Sequence, residues 1–357
     1  MPEPFVHVSL PNRIVLAPGA LDRVPEELSL LGIDRALLIN TRAVQDDADL
    51  LERALGDRFA GRLGDVRQHV PTERAEAARS KAAEVRATGV VALGGGSAIG
   101  LAKAIALTSG LPILAVPTTY AGSEMTPVWG ETIAGDKRTG SDPVVRPKTI
   151  VYDPLLSRDL PLKMTAASIA NALAHCVEAV WTPKADPITE VTAVEGARAL
   201  REGLAAVLTN PRDLDARGNL LYGACLAGSA LASAGTGLHH KLCHLLGGTY
   251  NLPHAETHAA VLPQITLLNA TAVPRAKARL EAALETDDLA AGLFDLFKAA
   301  GIPTGLCELG LTREQAQKAA ARLAGQNLPN PVPVDEATLR LVLERAWTGE
   351  RPNEVAK

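Results

Sequence analysis

Along the first 150 residues, short aliphatic runs alternate with stretches whose apolar side chains recur at helical spacing. The run NRIVL (12–16) reads as a strand, the chain turns at Pro18-Gly19, and an amphipathic helix follows to Gly32. RALLIN (35–40) carries a continuous apolar run over 36–39, as in a strand covered on both faces. A charged helix is predicted over 48–55, a strand position at 65–70 (DVRQHV), and an alanine-rich helix over 73–88. Val90–Leu93 predicts a strand, Gly94–Gly96 a glycine turn, and Ser97 the start of a helix; PILAVPTT (112–119) predicts another buried strand. Strands alternating with helices imply a doubly wound, mainly parallel sheet with its ligand site at the carboxyl ends of the strands.

After Asp153-Pro154 the pattern is helical, punctuated by Pro211, Gly235, Gly247 and Pro303, with no period-2 strand. The expected architecture is therefore an α/β N-terminal domain, 1–154, and an all-α C-terminal domain, 155–357. Amphipathic stretches near 197–208 and 316–323 are assigned to core and solvated faces, with a homodimer interface as a further use. Aromatic residues make up 3% of the chain, so the core must be aliphatic and alanine-rich.

A net charge of −4 gives no basic footprint for nucleic acid. The four cysteines (Cys176, Cys225, Cys243, Cys307) show no metal or redox spacing, as expected of reduced thiols. No apolar stretch approaches the length of a membrane span, and the expectation is a cytoplasmic protein.

Two loops at predicted strand ends suit a dinucleotide. In Gly94-Gly95-Gly96-Ser97, glycines let backbone N–H groups approach a diphosphate, and the helix that follows turns its positive end toward the anion. The triplet is not GxGxxG, and alone it serves equally as a tight turn. The next loop, Pro117 to Glu124, adds Thr118, Thr119 and Ser123 for ribose and phosphate oxygens. RALLIN ends at Asn40 and is followed by Thr41 and Arg42, with no acidic residue to repel a 2′-phosphate. Both NADH and NADPH are expected to be accepted.

The other concentration of chemistry is Gly235–Pro263, which holds five of the eight histidines: His239, His240, His244, His254 and His258. His240 and His244 share a helical face. The helix is expected to break at Gly247-Gly248, letting His254 fold back toward that face. Such clusters serve metal ligation, acid–base work or anion binding. Asn171 and His175 share a face of an earlier helix. Tyr120 interrupts a string of small loop residues and is expected to offer its hydroxyl to a substrate; Tyr250 suits that role and a packing place at the edge of the core equally, and Trp129 and Trp181 are read as packing residues.

GGGS (94–97), PTT (117–119) with GSE (122–124), NALAHCVEA (171–179) and the histidine segment together resemble the iron-containing alcohol dehydrogenase superfamily, which shares its architecture with dehydroquinate synthase. PTTYAGSEMTPVWG, GDKRTG and YDP (152–154) resemble its maleylacetate reductase branch. The resemblance implies NAD(P)H-dependent reduction of the C=C bond of maleylacetate to 3-oxoadipate in aromatic compound degradation, and a cofactor contact at Lys137.

The superfamily's metal ligands fall by motif on Asn171, His175, His240 and His254, where an aspartate has become Asn171. A neutral amide supplies no charge to a divalent cation, so no metal is expected. Gly100 departs likewise from an aspartate common in metal-dependent relatives. Hydride addition to a dianionic enone pushes charge onto the ketone oxygen, which needs a cationic or acidic partner. The implied roles are His244 as proton donor or enolate stabiliser, with His175, His240 and His254 forming a partly protonated pocket for the carboxylates. Asn171, Lys241, Tyr250 and Arg138 are implied as further substrate contacts. The other readings are a metal-dependent alcohol or glycerol dehydrogenase, and a dehydroquinate synthase-type lyase or nucleotide sensor.

Overall fold

The computed structural model describes residues 4–9, 12–67, 70–133, 136–326 and 329–353. Its first elements are β1 (Arg13–Leu16), α1 (Val24–Leu30), β2 (Ala36–Asn40), α2 (Gln45–Leu55), β3 (Phe59–Leu63), α3 (Thr72–Glu84), β4 (Gly89–Gly94) and α4 (Gly96–Ser109). Then come β5 (Ile113–Pro117), β6 (Val128–Ile133), β7 (Asp136–Ser141), β8 (Thr149–Tyr152) and α5 (Pro154–Ser157). The helical part comprises α6 (Leu162–Ala179), α7 (Pro187–Thr209), α8 (Leu214–Ala234), α9 (Leu238–Tyr250) and α10 (His254–Asn269), then α11 (Pro274–Leu284), α12 (Leu289–Ala299), α13 (Arg313–Ala324) and α14 (Glu336–Thr348).

Six strands form a parallel sheet in the order β1-β8-β5-β4-β2-β3. The central strands β2, β4 and β5 are buried at every position. Each fully buried Leu, Ile or Val contributes about 1.5–3 kcal/mol, so these runs anchor the unit. The third strand occupies 59–63, not the expected 65–70, and every residue of this edge strand is only half-buried. The antiparallel hairpin β6–β7 also has no counterpart in the sequence expectation. At the end of β8, Asp153 accepts hydrogen bonds from the backbone N–H groups of Gly19, Leu21 and Leu155, fixing the 19–21 turn and the start of α5.

The chain forms two compact units, and their membership differs from a single cut at 155. The sheet unit comprises 10–160 with 210–222, and the helical unit 1–9, 161–209 and 223–357. Fully buried Arg217 ties the inserted stretch to the sheet unit by donating to the carbonyls of Leu160 and Pro211 and to Tyr120 Oη. In the helical unit, α10 packs on α6, α9, α12 and α14, and its stretch 257–266 is buried throughout. Asp288, Thr312 and Asp335 cap the N-termini of α12, α13 and α14 with their side-chain oxygens. Among the described residues no helix is long and apolar enough to cross a membrane.

Candidate active site

The glycine triplet draws the ends of three strands together. Gly94 has φ 150°, and a Cβ there would lie 2.8 Å from Thr41 Cγ2. A Cβ on Gly95 would lie 3.0 Å from Thr119 Cγ2, and one on Gly96 4.0 Å from Ser123 Oγ. Thr41, Thr119 and Ser123, which follow β2 and β5, thus border the N-terminus of the 14-residue helix α4. Open N–H groups and a helix dipole there suit a diphosphate. Thr118 is buried, its N–H bonded to Gly94 O at 3.2 Å; Ser97 is half-buried in the first turn of α4. Ser123 Oγ is buried with no hydrogen-bond partner among the described residues, so it has an unused donor and acceptor.

A buried lysine braces this second loop. Lys103 on α4 is 2% exposed, and its Nζ donates to the carbonyls of Ser123, Thr126 and Val128 at 2.7–2.8 Å and to Thr126 Oγ1 at 3.1 Å. Burial pulls its pKa down to about 7, opposed by the charge of Glu124. Burial raises Glu124 in turn, against a hydrogen bond from Tyr152 Oη at 2.8 Å. Neither Lys103 nor Glu124 was singled out from sequence. A lone lysine amid the aliphatic residues of α4 was the available signal.

In the helical unit, α6, α9 and α10 bring six imidazoles together. Asn251 adopts a left-handed conformation (φ 54°) at the end of α9, and Pro253 precedes α10. Asn tolerates that region better than most residues. The tight reversal stacks His254 on His244 with ring centroids 5.9 Å apart. The expected break at Gly247-Gly248 is corrected: α9 continues through both glycines to Tyr250. His240 stacks on His175 at 5.1 Å, and His258 lies 4.4–4.9 Å from His254, His240 and His239. His239, His240, His258, His175 and Asn171 are buried, His244 is half-buried and His254 exposed.

Burial, reinforced by neighbouring imidazoles, holds His175 and His258 well below the ordinary histidine value and brings His239 to about 4. Burial raises Glu178, but His240 and His239 outweigh it and bring the carboxyl to about 2. Its oxygens accept from the His239 N–H at 2.7 Å and from His240 Nδ1 at 2.5 Å. His175 Nδ1, His240 Nε2 and both ring nitrogens of His258 are buried with no hydrogen-bond partner among the described residues. A cluster with this many unused polar atoms is organised to receive a polar ligand. His258 and Glu178 carry no assigned role in the sequence reading, although His258 follows His254 at helical spacing and Glu178 is an isolated charge in an apolar helix.

The other expected contact residues lie outside the two clusters of open polar atoms. Tyr120 is fully buried, and Arg217 donates to its hydroxyl at 3.1 Å. Asn40 is fully buried; its amide donates to Thr41 O at 3.0 Å and accepts from Arg62 Nε at 2.7 Å, so its side chain is spent inside the sheet. The half-buried Tyr250 donates to Gln315 O at 3.2 Å, which occupies its hydroxyl. Lys241 is exposed while its neighbour His240 is buried, since each residue turns about 100° around a helix; it stands off the histidine face. Arg138 is exposed on β7, opposite Glu131. Arg42 is also exposed. The Lys137 side chain lies outside the described residues.

The resemblance raises the question of a metal on Asn171, His175, His240 and His254. Among the described residues, two histidine groups have ligand atoms all within 4.8 Å of one another: His239, His240 and His258, and His244, His254 and His258. Neither matches that set. Asn171 adds only a neutral amide, and Glu178 is occupied by α9 and His240. Those four positions offer three imidazoles and a neutral amide, with no carboxylate among them. Three-imidazole sets hold zinc in other proteins, so metal analysis tests both observed groups.

The family described as iron-containing alcohol dehydrogenase matches residues 11–154, and the C-terminal part of the Fe-containing alcohol dehydrogenase family matches 165–347. The chain is 44% identical to the maleylacetate reductase of Burkholderia cepacia, over 96% of this chain and 97% of that one. It superposes with a TM-score of 0.94 on the crystal structure of maleylacetate reductase from Agrobacterium tumefaciens, at 40% identity, covering 98% of this chain and all of that one. A structure of an iron-containing alcohol dehydrogenase from Corynebacterium glutamicum matches with a TM-score of 0.92 and 43% identity, over 97% and 98% of the two chains. With its glycine loop, its histidine cluster and matches that together run from residue 11 to residue 347, the chain belongs to the iron-containing alcohol dehydrogenase family.

Proposed function

We propose that this chain is an NAD(P)H-dependent maleylacetate reductase, which reduces the C=C bond of its dicarboxylate substrate to give 3-oxoadipate during aromatic compound degradation. The observation that carries the proposal is the 44% identity to a maleylacetate reductase over 96% of the chain. In this reading the cofactor diphosphate rests on Gly94–Ser97 and the N-terminus of α4, with Thr41, Thr119 and Ser123 at its border. Hydride passes from the nicotinamide to the alkene carbon β to the ketone, and the electron pair moves onto the ketone oxygen as an enolate. The imidazoles then take on the charge: His244, half-buried beside the exposed His254, donates the proton, while His175, His240 and His254 meet the substrate carboxylates. Several adjacent imidazoles cannot all be charged together in the free protein, and a bound dianion favours their protonation.

The reading further holds that no metal is required, that NADH and NADPH both serve, and that the enzyme works as a cytoplasmic homodimer without nucleic-acid or membrane partners. Asn171 and the engagement of Glu178 support the metal-free part. The absence of an acidic residue at Thr41-Arg42 supports dual cofactor use. Reduction of maleylacetate by NADH, followed through the loss of the cofactor's near-ultraviolet absorbance, tests the activity. Oxidation of simple alcohols dependent on added iron would replace the reading with a metal-dependent alcohol dehydrogenase.

A further inference from the structure

The edge strand β3 brings a cation to the carboxyl ends of the strands. Arg62 is the last residue but one of β3 and lies opposite Leu38 of β2. Its guanidinium reaches the end of β2, where Nε donates to Asn40 Oδ1 at 2.7 Å and Nη2 to the Gln45 carbonyl at 3.2 Å. Nη1 faces two acids of α2, forming an ion pair with Asp49 and lying 3.4 Å from Glu52. The Arg62 side chain is 17% exposed, against 43% for Asp49 and 39% for Glu52.

Exposure separates a fixed part of this network from a replaceable one. Asn40 is fully buried and the Gln45 carbonyl belongs to the backbone, so both hold the guanidinium in place. Asp49 and Glu52 face water, where an ion pair contributes little and a carboxylate turns away at small cost. A phosphate carries more charge than either carboxylate, and its oxygens match the paired donors of a guanidinium.

The place where this guanidinium is held gives it a use. Asn40 pairs with Leu93, one residue before the glycine loop, and a Cβ on Gly94 would lie 2.8 Å from Thr41 Cγ2. The Asn40 amide donates to Thr41 O at 3.0 Å, so one side chain links Arg62 to the border of the diphosphate loop. In doubly wound sheets a dinucleotide with its diphosphate on such a loop lays the adenosine ribose at the neighbouring strand end, where a carboxylate bonds the 2′-hydroxyl or an arginine receives a 2′-phosphate. Arg42 follows the same strand but is exposed, whereas Arg62 is anchored.

We propose that Arg62, rather than Arg42, receives the 2′-phosphate of NADPH, which displaces Asp49 and Glu52 from the guanidinium, while NADH leaves those pairs in place. The proposal rests on the NAD(P)H reading of Gly94–Ser97 and deepens it by naming the group that admits the second cofactor.

Titration of reduced-nicotinamide fluorescence against the whole protein, without substrate, gives the ratio of Kd for NADPH to Kd for NADH, in which damage common to both cofactors cancels. Arg62→Gln is expected to raise that ratio at least about tenfold, the range of a lost hydrogen bond between charged groups. Asp49→Asn removes a competing charge and is expected to lower it about threefold. Arg42→Gln is expected to shift it by less than about twofold. A ratio within twofold of wild type in Arg62→Gln overturns the proposal, as does a larger shift in Arg42→Gln than in Arg62→Gln. Should Arg62→Gln not fold, Asp49→Asn decides alone, and a ratio unchanged or raised there overturns the proposal. Wild-type protein that binds NADH but not NADPH also overturns it and leaves the glycine loop in its role, whereas protein that binds neither removes the dinucleotide reading and the proposal with it. Maleylacetate does not enter the measurement, so the substrate assignment and this proposal fail separately.

Discussion

Replacing Gly95 by valine tests the cofactor loop at its narrowest point. Gly95 is the N-cap of α4, and its missing Cβ would lie 3.0 Å from Thr119 Cγ2 and 3.1 Å from Thr119 Oγ1. A β-carbon already crowds Thr119, and valine adds two methyl groups where a diphosphate must come close to backbone N–H groups. Losing one charge-assisted hydrogen bond costs about 1.5–3 kcal/mol, which weakens Kd for NADH by about tenfold to 150-fold. The overpacking itself costs about 1–3 kcal/mol of stability, so the variant is expected to fold with a lowered Tm. Titration of NADH fluorescence against the folded variant, with Gly95→Ala as a graded control, measures the effect. A Kd within twofold of wild type in a folded valine variant would remove this loop from the cofactor site.

Four further outcomes follow from the same geometry. His244→Ala is expected to lower kcat at least about a hundredfold, the range of a lost general acid, while NADH binding stays within twofold; undiminished turnover would take the proton-donor role from His244. Lys103→Met strands three carbonyls now bonded to Nζ, so stability should fall by about 1–3 kcal/mol or more and KM for NADH should rise, whereas wild-type values for both would show that the brace is dispensable. Acid should destabilise the fold. His239 is held at about 4 against an ordinary 6.5, so the unfolded chain binds more protons than the folded one between those values and stability drops as pH falls through that window. Glu178, held at about 2 against 4.5, adds a second loss below 4.5; a Tm constant from pH 7 to 4 would contradict the first, and one constant from pH 4.5 to 2 the second. Finally, EDTA should leave maleylacetate reduction unchanged; a loss restored by iron or zinc would overturn the metal-free reading.

The parts of the fold legible from sequence are those where burial is symmetric. RALLIN, the 90–93 run and PILAVPTT read as strands because the central positions of a parallel sheet are covered on both faces. FAGRL did not, because an edge strand with every residue half-buried carries neither a continuous run nor an alternation. The insertion of 210–222 into the sheet unit depends on Arg217 reaching Tyr120, 97 positions away, which no local pattern encodes. The same contact turns the Tyr120 hydroxyl inward, and composition does not tell which way a loop tyrosine points. The glycine triplet was legible because it needs only backbone geometry. The histidine cluster was visible as a density of imidazoles, but its internal order was not, because Glu178 lies 62 positions before His240 and acts only across the packing of two helices.

The central claim is that this scaffold reduces a dicarboxylate enone with imidazoles in place of a metal. Its most direct test is a steady-state assay of the purified, metal-analysed protein with maleylacetate and either NADH or NADPH, in the presence of EDTA and alongside a panel of simple alcohols. The account predicts cofactor oxidation with maleylacetate, 3-oxoadipate as the product, and negligible turnover of the alcohols. Turnover confined to alcohols and dependent on added iron would contradict it.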